Sequence, residues 1–152
     1  MKRSGFFVFL GVKLDMKTFP VIILYLLVFC SLITGQVPDS VKFKSLLPND
    51  FLLAYLKEDK AILIDVREFF EFRKVRLKHA VNIPSSGKLG FAADTIDKQF
   101  ALFFYCTSGY RSKRVAVFFH DKGFSKLYSL DGGIMRWKKE GFPVVRKRIK
   151  KR

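Results

Sequence analysis

The sequence predicts an α/β fold built on a mainly parallel sheet. Three observations predict it. Strand-like and helix-like stretches alternate from residue 41 to residue 140. The run Ala61-Ile62-Leu63-Ile64 is apolar throughout rather than alternating, as a strand covered on both faces is. A second apolar strand pattern, Ala101 to Tyr105, leads directly into a short polar loop and then a helix pattern. The polar ends of these two runs, Asp65 and Cys106, fall at strand C-termini, where open α/β sheets gather their ligand sites.

The chain has 152 residues, room for one domain. Hydrophobic residues make up 49%, so a core can be built, and 18 Phe fill core positions elsewhere held by Leu and Val. The formal net charge is +16, spread along the chain with a dense run at its end. The two cysteines are Cys30 and Cys106.

In chain order, residues 1–35 read as an export signal or a membrane anchor. Met16-Lys17 starts a short basic segment and is a candidate true start, and Thr18 to Pro38 carries no charge. Phe19 to Ile33 gives 15 strongly apolar residues, the upper edge of a signal-peptide core and short of the ~20 that a spanning helix needs. Cleavage before Gln36 is one expectation; an uncleaved anchor over residues 19–38 is the other. The expected location is periplasmic or otherwise extracytoplasmic. With Gln36 as the mature start, Cys106 is the sole cysteine and no intramolecular disulfide forms.

Residues 36–44 read as a linker and a first strand, Val41-Lys42-Phe43. A helix is expected over Phe51–Lys57, capped by Asn49 or Asp50, with Leu52, Leu53 and Leu56 apolar. Asp65 then orders the turn after the Ala61–Ile64 strand, through backbone N–H groups or Arg67. Phe69–Arg73 reads as a short helix, His79–Pro84 as a brief strand closed by proline, and Phe91–Ile96 as another short helix. After the Cys106 loop, Ser112–Lys122 is a helix closed by Gly123. Lys126–Leu130 is the last expected strand. Asp131-Gly132-Gly133 turns into a helix over Ile134–Glu140 with Trp137 on its inner side. His79 and His120 fall in different elements without a Cys or acid cluster, so no metal and no cofactor is expected.

The chemistry is expected in Cys106-Thr107-Ser108-Gly109-Tyr110-Arg111-Ser112. Such a loop turns successive backbone N–H groups inward, toward the N-terminus of the following helix. A thiolate in that cup is favoured over the thiol, because the N–H groups, the helix dipole and Arg111 all present positive charge. Gly109 supplies a backbone conformation closed to other residues.

Four stretches together resemble the single-domain rhodaneses, a sulfurtransferase family. They are Ala61–Glu68 with its Asp-x-Arg, Glu71-Phe72 through Ala80-Val-Asn-Ile-Pro84, Tyr105–Ser112, and Tyr128–Trp137 with Gly141-Phe-Pro143. The resemblance covers residues 45–146. It implies a five-stranded, mainly parallel sheet with helices on both faces. It implies that Cys106 takes a sulfane sulfur from an anionic donor such as thiosulfate and passes it to cyanide or a thiol. By position, the N–H groups of Thr107 to Ser112 would hold the transferred sulfur and Arg111 would help bind the donor, with Asp65 and Arg67 supporting. The six-residue loop has the family's sulfurtransferase length; related phosphatases carry a longer one. One segment departs. The family usually reads Gly-His-Ile-x-Gly-Ala where this chain has Val75-Arg76-Leu77-Lys78-His79-Ala80.

The expectation is therefore an exported, monomeric sulfurtransferase, with a non-catalytic persulfide carrier or redox-sensing module as the alternative. The tail, residues 147–152, continues a basic run from Arg146 that fits a solvated segment or an anionic membrane surface. Nucleic acid is not an expected partner, since no nucleic-acid motif appears and no aromatic residues interleave the tail.

Overall fold

A computed structural model of the chain describes residues 8–9, 12–13 and 42–146. The apolar stretch Phe19–Ile33, Cys30, the linker before Val41, Val41 itself and the tail 147–152 lie outside the described residues. The described residues of one unit, Met1–Val37, form a short antiparallel ladder, β1 (Val8–Phe9) with β2 (Val12–Lys13). The remaining elements belong to the other unit.

They are β3 (Lys44–Leu46), α1 (Pro48–Lys57), β4 (Ala61–Asp65), α2 (Phe69–Lys74), β5 (Val75–Arg76) and β6 (Val81–Asn82). Then come α3 (Leu89–Thr95), β7 (Ala101–Tyr105), α4 (Tyr110–Asp121), β8 (Leu127–Leu130), α5 (Gly133–Lys139) and β9 (Val145–Arg146). The main sheet has five strands in the order β3-β8-β7-β4-β6, and every pairing in it is parallel. From β4 the chain steps to one side to reach β6, then returns to the other side for β7. The strand order thus reverses at β4 and β7, which leaves a crevice beyond their C-terminal ends.

Strand periodicity sorts β7 to two faces. Leu102 and Phe104 join α3 and α4 residues Ala92, Ala93, Val115, Ala116 and Phe119 in one buried cluster. Ala101, Phe103 and Tyr105 join Phe51 of α1 and Ile134 and Trp137 of α5 in the other. Every residue of β7 is buried, which is why its sequence does not alternate. Aromatic rings fill both layers. Phe103 stacks on Tyr128 at 4.3 Å and meets the edge of Phe51 at 5.3 Å, while Phe119 lies 5.1 Å from Phe104 and 5.2 Å from Phe124.

Several element boundaries differ from the sequence expectation. The first sheet strand is Lys44–Leu46, not Val41–Phe43, because Lys44 to Leu46 pair with Tyr128 to Leu130. α1 begins at Pro48, with neither Asn49 nor Asp50 as cap. Proline suits the first turn, where its missing N–H would have had no partner. The buried residues of α1 are Pro48 and Phe51; Leu53 and Leu56 are exposed. α4 begins at Tyr110, two residues early, so the loop runs directly into the helix. Lys126–Leu130 is not the last strand: β9 follows and pairs antiparallel with β5.

The brief strand expected over His79–Pro84 shrinks to Val81–Asn82, because His79 turns away from it with φ 64°. It is the one non-glycine residue among those described with positive φ, and it stands where the resembling family has its second glycine. A side chain there is strained. His79→Gly is expected to raise stability by about 0.5–1 kcal/mol, and His79→Val to lower it by at least as much. Urea unfolding midpoints of the two variants check this.

Candidate active site

The crevice at the C-terminal ends of β4 and β7 collects most of the residues singled out in the sequence. β4 ends in Asp65, paired in register with Tyr105 at the end of β7, and Cys106 follows. Asp65 Oδ1 accepts the backbone N–H of Arg67 at 3.0 Å and its Nε–H at 2.9 Å, and Oδ2 accepts Nη2 at 2.6 Å. The Arg67 guanidinium also donates to the Val75 carbonyl at 2.6 Å and lies over the Tyr105 ring. Both side chains are buried. Asn82 donates to the carbonyls of Asp65 and Arg67, which ties β6 to this turn. Burial pushes the Tyr105 phenol well up, the Asp65 carboxylate adds to the shift, and its oxygen accepts the Leu77 N–H. Asp65 and Arg67 therefore form the floor between the strands and are not aimed at the sulfur.

The loop itself is fixed from two sides. Gly109 caps α4 with φ 95°, and its N–H points at Cys106 Sγ at 3.1 Å. Ser112 Oγ lies 3.8 Å from Sγ and 3.0 Å from the Gly109 carbonyl, and it accepts the Ser129 hydroxyl at 2.9 Å. Its single proton goes to the nearer carbonyl. From the other side the start of α5 reaches in. Ile134 N–H donates to the Cys106 carbonyl at 2.9 Å and Met135 N–H to the Thr107 carbonyl at 3.1 Å. In a planar trans peptide the C=O and the next N–H point opposite ways. The N–H groups of Thr107 and Ser108 are therefore turned away from α5.

That approach depends on Gly133, which has φ 57°. A Cβ there would lie 2.5 Å from the Cys106 carbonyl oxygen and 2.6 Å from the Thr107 carbonyl carbon. Both are backbone atoms, so one of the two segments would have to move. Gly133→Ala is expected to cost about 2–3 kcal/mol. Any reaction at Cys106 would also slow by about 100-fold in a loop displaced by roughly 1 Å. Paired urea unfolding and turnover measurements check both.

Arg111 is engaged elsewhere than at the sulfur. Its two terminal nitrogens donate to Glu71 at 3.1 and 3.2 Å, and one donates to Thr107 Oγ1 at 3.0 Å. Thr107 in turn donates to Glu71 at 2.9 Å. Glu71 also completes a capping box with Glu68 at the start of α2. Partial desolvation raises the Glu71 carboxyl, but the bonds from Arg111 and Thr107 outweigh it and hold the group below the usual glutamate range. The bond to Glu71 likewise raises Arg111. Glu71 stands in a stretch that resembles the family, yet nothing local marks it as a partner of a loop some forty positions on. The available signal was charge: a half-buried loop arginine needs a counter-ion.

Tyr110 and Ser108 are exposed, and Cys106 is 1% exposed. The sulfur thus sits under the loop, with an N–H and a hydroxyl beside it. Among the described residues, no group of His, Cys, Asp and Glu is placed to hold a metal. The arrangement can hold a negative sulfur, or one further sulfur atom bonded to it, against inward dipoles.

Comparison with known proteins bears on the family and the fold. The family model of the rhodanese-like domain matches residues 49–140. The tRNA uridine(34) hydroxylase of Hamiltonella defensa subsp. Acyrthosiphon pisum (strain 5AT) is 29% identical over 98 residues, 59% of this chain and 28% of that protein. The tRNA uridine(34) hydroxylase of Bdellovibrio bacteriovorus is 28% identical over 113 residues, 71% of this chain and 32% of that protein. The chain spans about a third or less of the length of these curated relatives. Among solved structures, a rhodanese-related protein of Thermoplasma volcanium matches with TM-score 0.57 and 29% identity, covering 68% of this chain and 99% of that one. A rhodanese-like domain protein of Staphylococcus aureus matches with TM-score 0.58 and 22% identity, covering 69% and 99%. With the family model spanning most of the described sheet and its cysteine loop, this chain belongs to the rhodanese-like domain family.

Proposed function

We propose that the chain is a sulfurtransferase that works through a persulfide on Cys106. The Cys106 thiolate attacks the outer sulfur of an anionic donor such as thiosulfate. A new S–S bond forms, the donor's S–S bond breaks, and sulfite leaves with the electron pair. A thiolate or cyanide then takes the outer sulfur and Cys106 returns to the thiolate. The observation that carries this reading is the six-residue loop whose Gly109 N–H meets Sγ while α5 holds the Cys106 and Thr107 carbonyls and so turns the Thr107 and Ser108 amides. In it, Thr107 to Ser112 supply the dipoles for the transferred sulfur. Arg111 contributes through the loop it fixes with Glu71, and Asp65 with Arg67 keeps the neighbouring turn in place. Export, or attachment to a membrane through residues 19–38, belongs to the same proposal, as does contact of the basic tail with anionic lipid. These rest on the charge-free run and the terminal charges.

The test is the intact mass of the isolated protein before and after thiosulfate. The expected result is a gain of one sulfur atom that is lost again on adding cyanide. No gain overturns the reading. The same spectrum reports whether the first 35 residues have been removed. The burial of Cys106 favours a second reading, a carrier that accepts a persulfide without turning over. Steady-state thiocyanate formation separates the two. The activity on tRNA named for the curated relatives is not carried over, since this chain matches under a third of their length.

A further inference from the structure

A cavity of about 200 Å³ lies on the α1 and α5 side of the sheet, and no residue of the cysteine loop lines it. Phe51, Leu63 and Trp137, all buried, form its floor. Leu56 of α1 stands at its edge, exposed. The turn from β5 to β6 closes one side and contributes Leu77, Lys78 and His79. Lys78 and His79 are exposed and make a polar end at the mouth. Neither takes part in an ion pair among the described residues. No carboxylate lines the cavity. Lys78 supplies a positive charge there and His79 a ring N–H donor. Most of the remaining lining is hydrocarbon or aromatic ring, which an apolar chain covers more favourably than water does. His79 carries a second sign. It holds φ 64° where the resembling family has a glycine. Strain of this kind persists where the surroundings impose it, and it gathers at ligand clamps. The chemistry at Cys106 uses neither Lys78 nor His79.

We propose that this cavity binds a free medium-chain carboxylate, an acid head on a straight apolar chain. A cavity of about 150 Å³ holds the six carbons of benzene, so this one takes a chain of roughly eight. The chain lies over Phe51, Leu63 and Trp137, and the carboxylate meets Lys78 and His79 at the mouth. One charge and one N–H donor match the two oxygens of such a head. An amine of the same length would meet the Lys78 ammonium with like charge. The site is separate from sulfur transfer and stands whether or not Cys106 carries a persulfide.

Trp137 is the sole tryptophan of the chain, so its fluorescence reports what enters the cavity. The experiment titrates the full chain with butyrate, hexanoate, octanoate and octylammonium, each below micelle formation. Affinity is expected to rise about fourfold per added methylene, up to a chain of roughly eight carbons. Octylammonium is expected to bind about tenfold more weakly than octanoate. Lys78→Gln and His79→Gly are each expected to weaken octanoate by about three- to fivefold. His79→Gly relieves the strained backbone, so its lost affinity cannot come from a damaged fold, and Lys78 is exposed. No saturable change with octanoate, equal binding of octylammonium, or unchanged affinity in either variant overturns the site. A response to phosphatidylglycerol vesicles without one to free octanoate overturns it as well.

Discussion

Cys106→Ser is expected to reduce sulfur transfer by at least ~10⁴-fold, to the background of the reagents. The reason lies in what surrounds position 106. A serine Oγ would fit under the loop and could still accept the Gly109 N–H. It would not react, because a hydroxyl needs a base to remove its proton. The groups within hydrogen-bond reach of the sulfur are an amide N–H and the Ser112 hydroxyl, neither of which is a base. Sulfur is the stronger nucleophile and does not depend on such a partner. Folding should survive the change, with stability within about 1 kcal/mol of the parent, because the replacement keeps the size of the side chain and its hydrogen bond. Thiocyanate formation and a denaturant melt on the same preparation check both halves. Residual transfer within tenfold of the parent would remove the covalent mechanism.

The largest loss of stability is expected from Asp65→Ala, about 3–5 kcal/mol. The carboxylate is fully buried and accepts both the backbone and the guanidinium of Arg67. Without it the guanidinium, itself 4% exposed, keeps only the Val75 carbonyl as a strong partner. A buried charge with its partner removed costs far more than the pair ever contributed. Asp65→Leu combined with Arg67→Met should therefore be less damaging than Asp65→Ala alone, at under half its cost. Urea unfolding midpoints of the single and double variants decide this. A double variant as damaged as the single would show that the pair holds the turn through its geometry rather than its charge.

Much of this architecture was legible because it is local. An unbroken apolar run marks a strand covered on both sides, and β4 and β7 are the central strands of the sheet. A cysteine between such a run and a helix, with glycine and arginine at fixed steps, gives away the loop. What was not legible is what depends on distant partners. Nothing around Lys44 says that it will pair with Tyr128. Val75–Arg76 and Val145–Arg146 are too short to read as strands until they meet each other. The Arg111–Glu71 pair and the Ser112–Ser129 contact join residues with no common periodicity. Arg111 is the example: along the chain it reads as a cation near a nucleophile, and the fold adds its pairing with Glu71.

The sheet's two margins bear on how so aromatic a chain behaves at high concentration. β3 offers three residues and β6 only two, with Pro84 soon after. A rim that brief gives a neighbouring molecule little backbone to zip onto, which disfavours extension of the sheet from one copy to the next. Stacking into fibrils would first require the outer strands to lengthen or peel away, and the central phenylalanines stay out of reach until then.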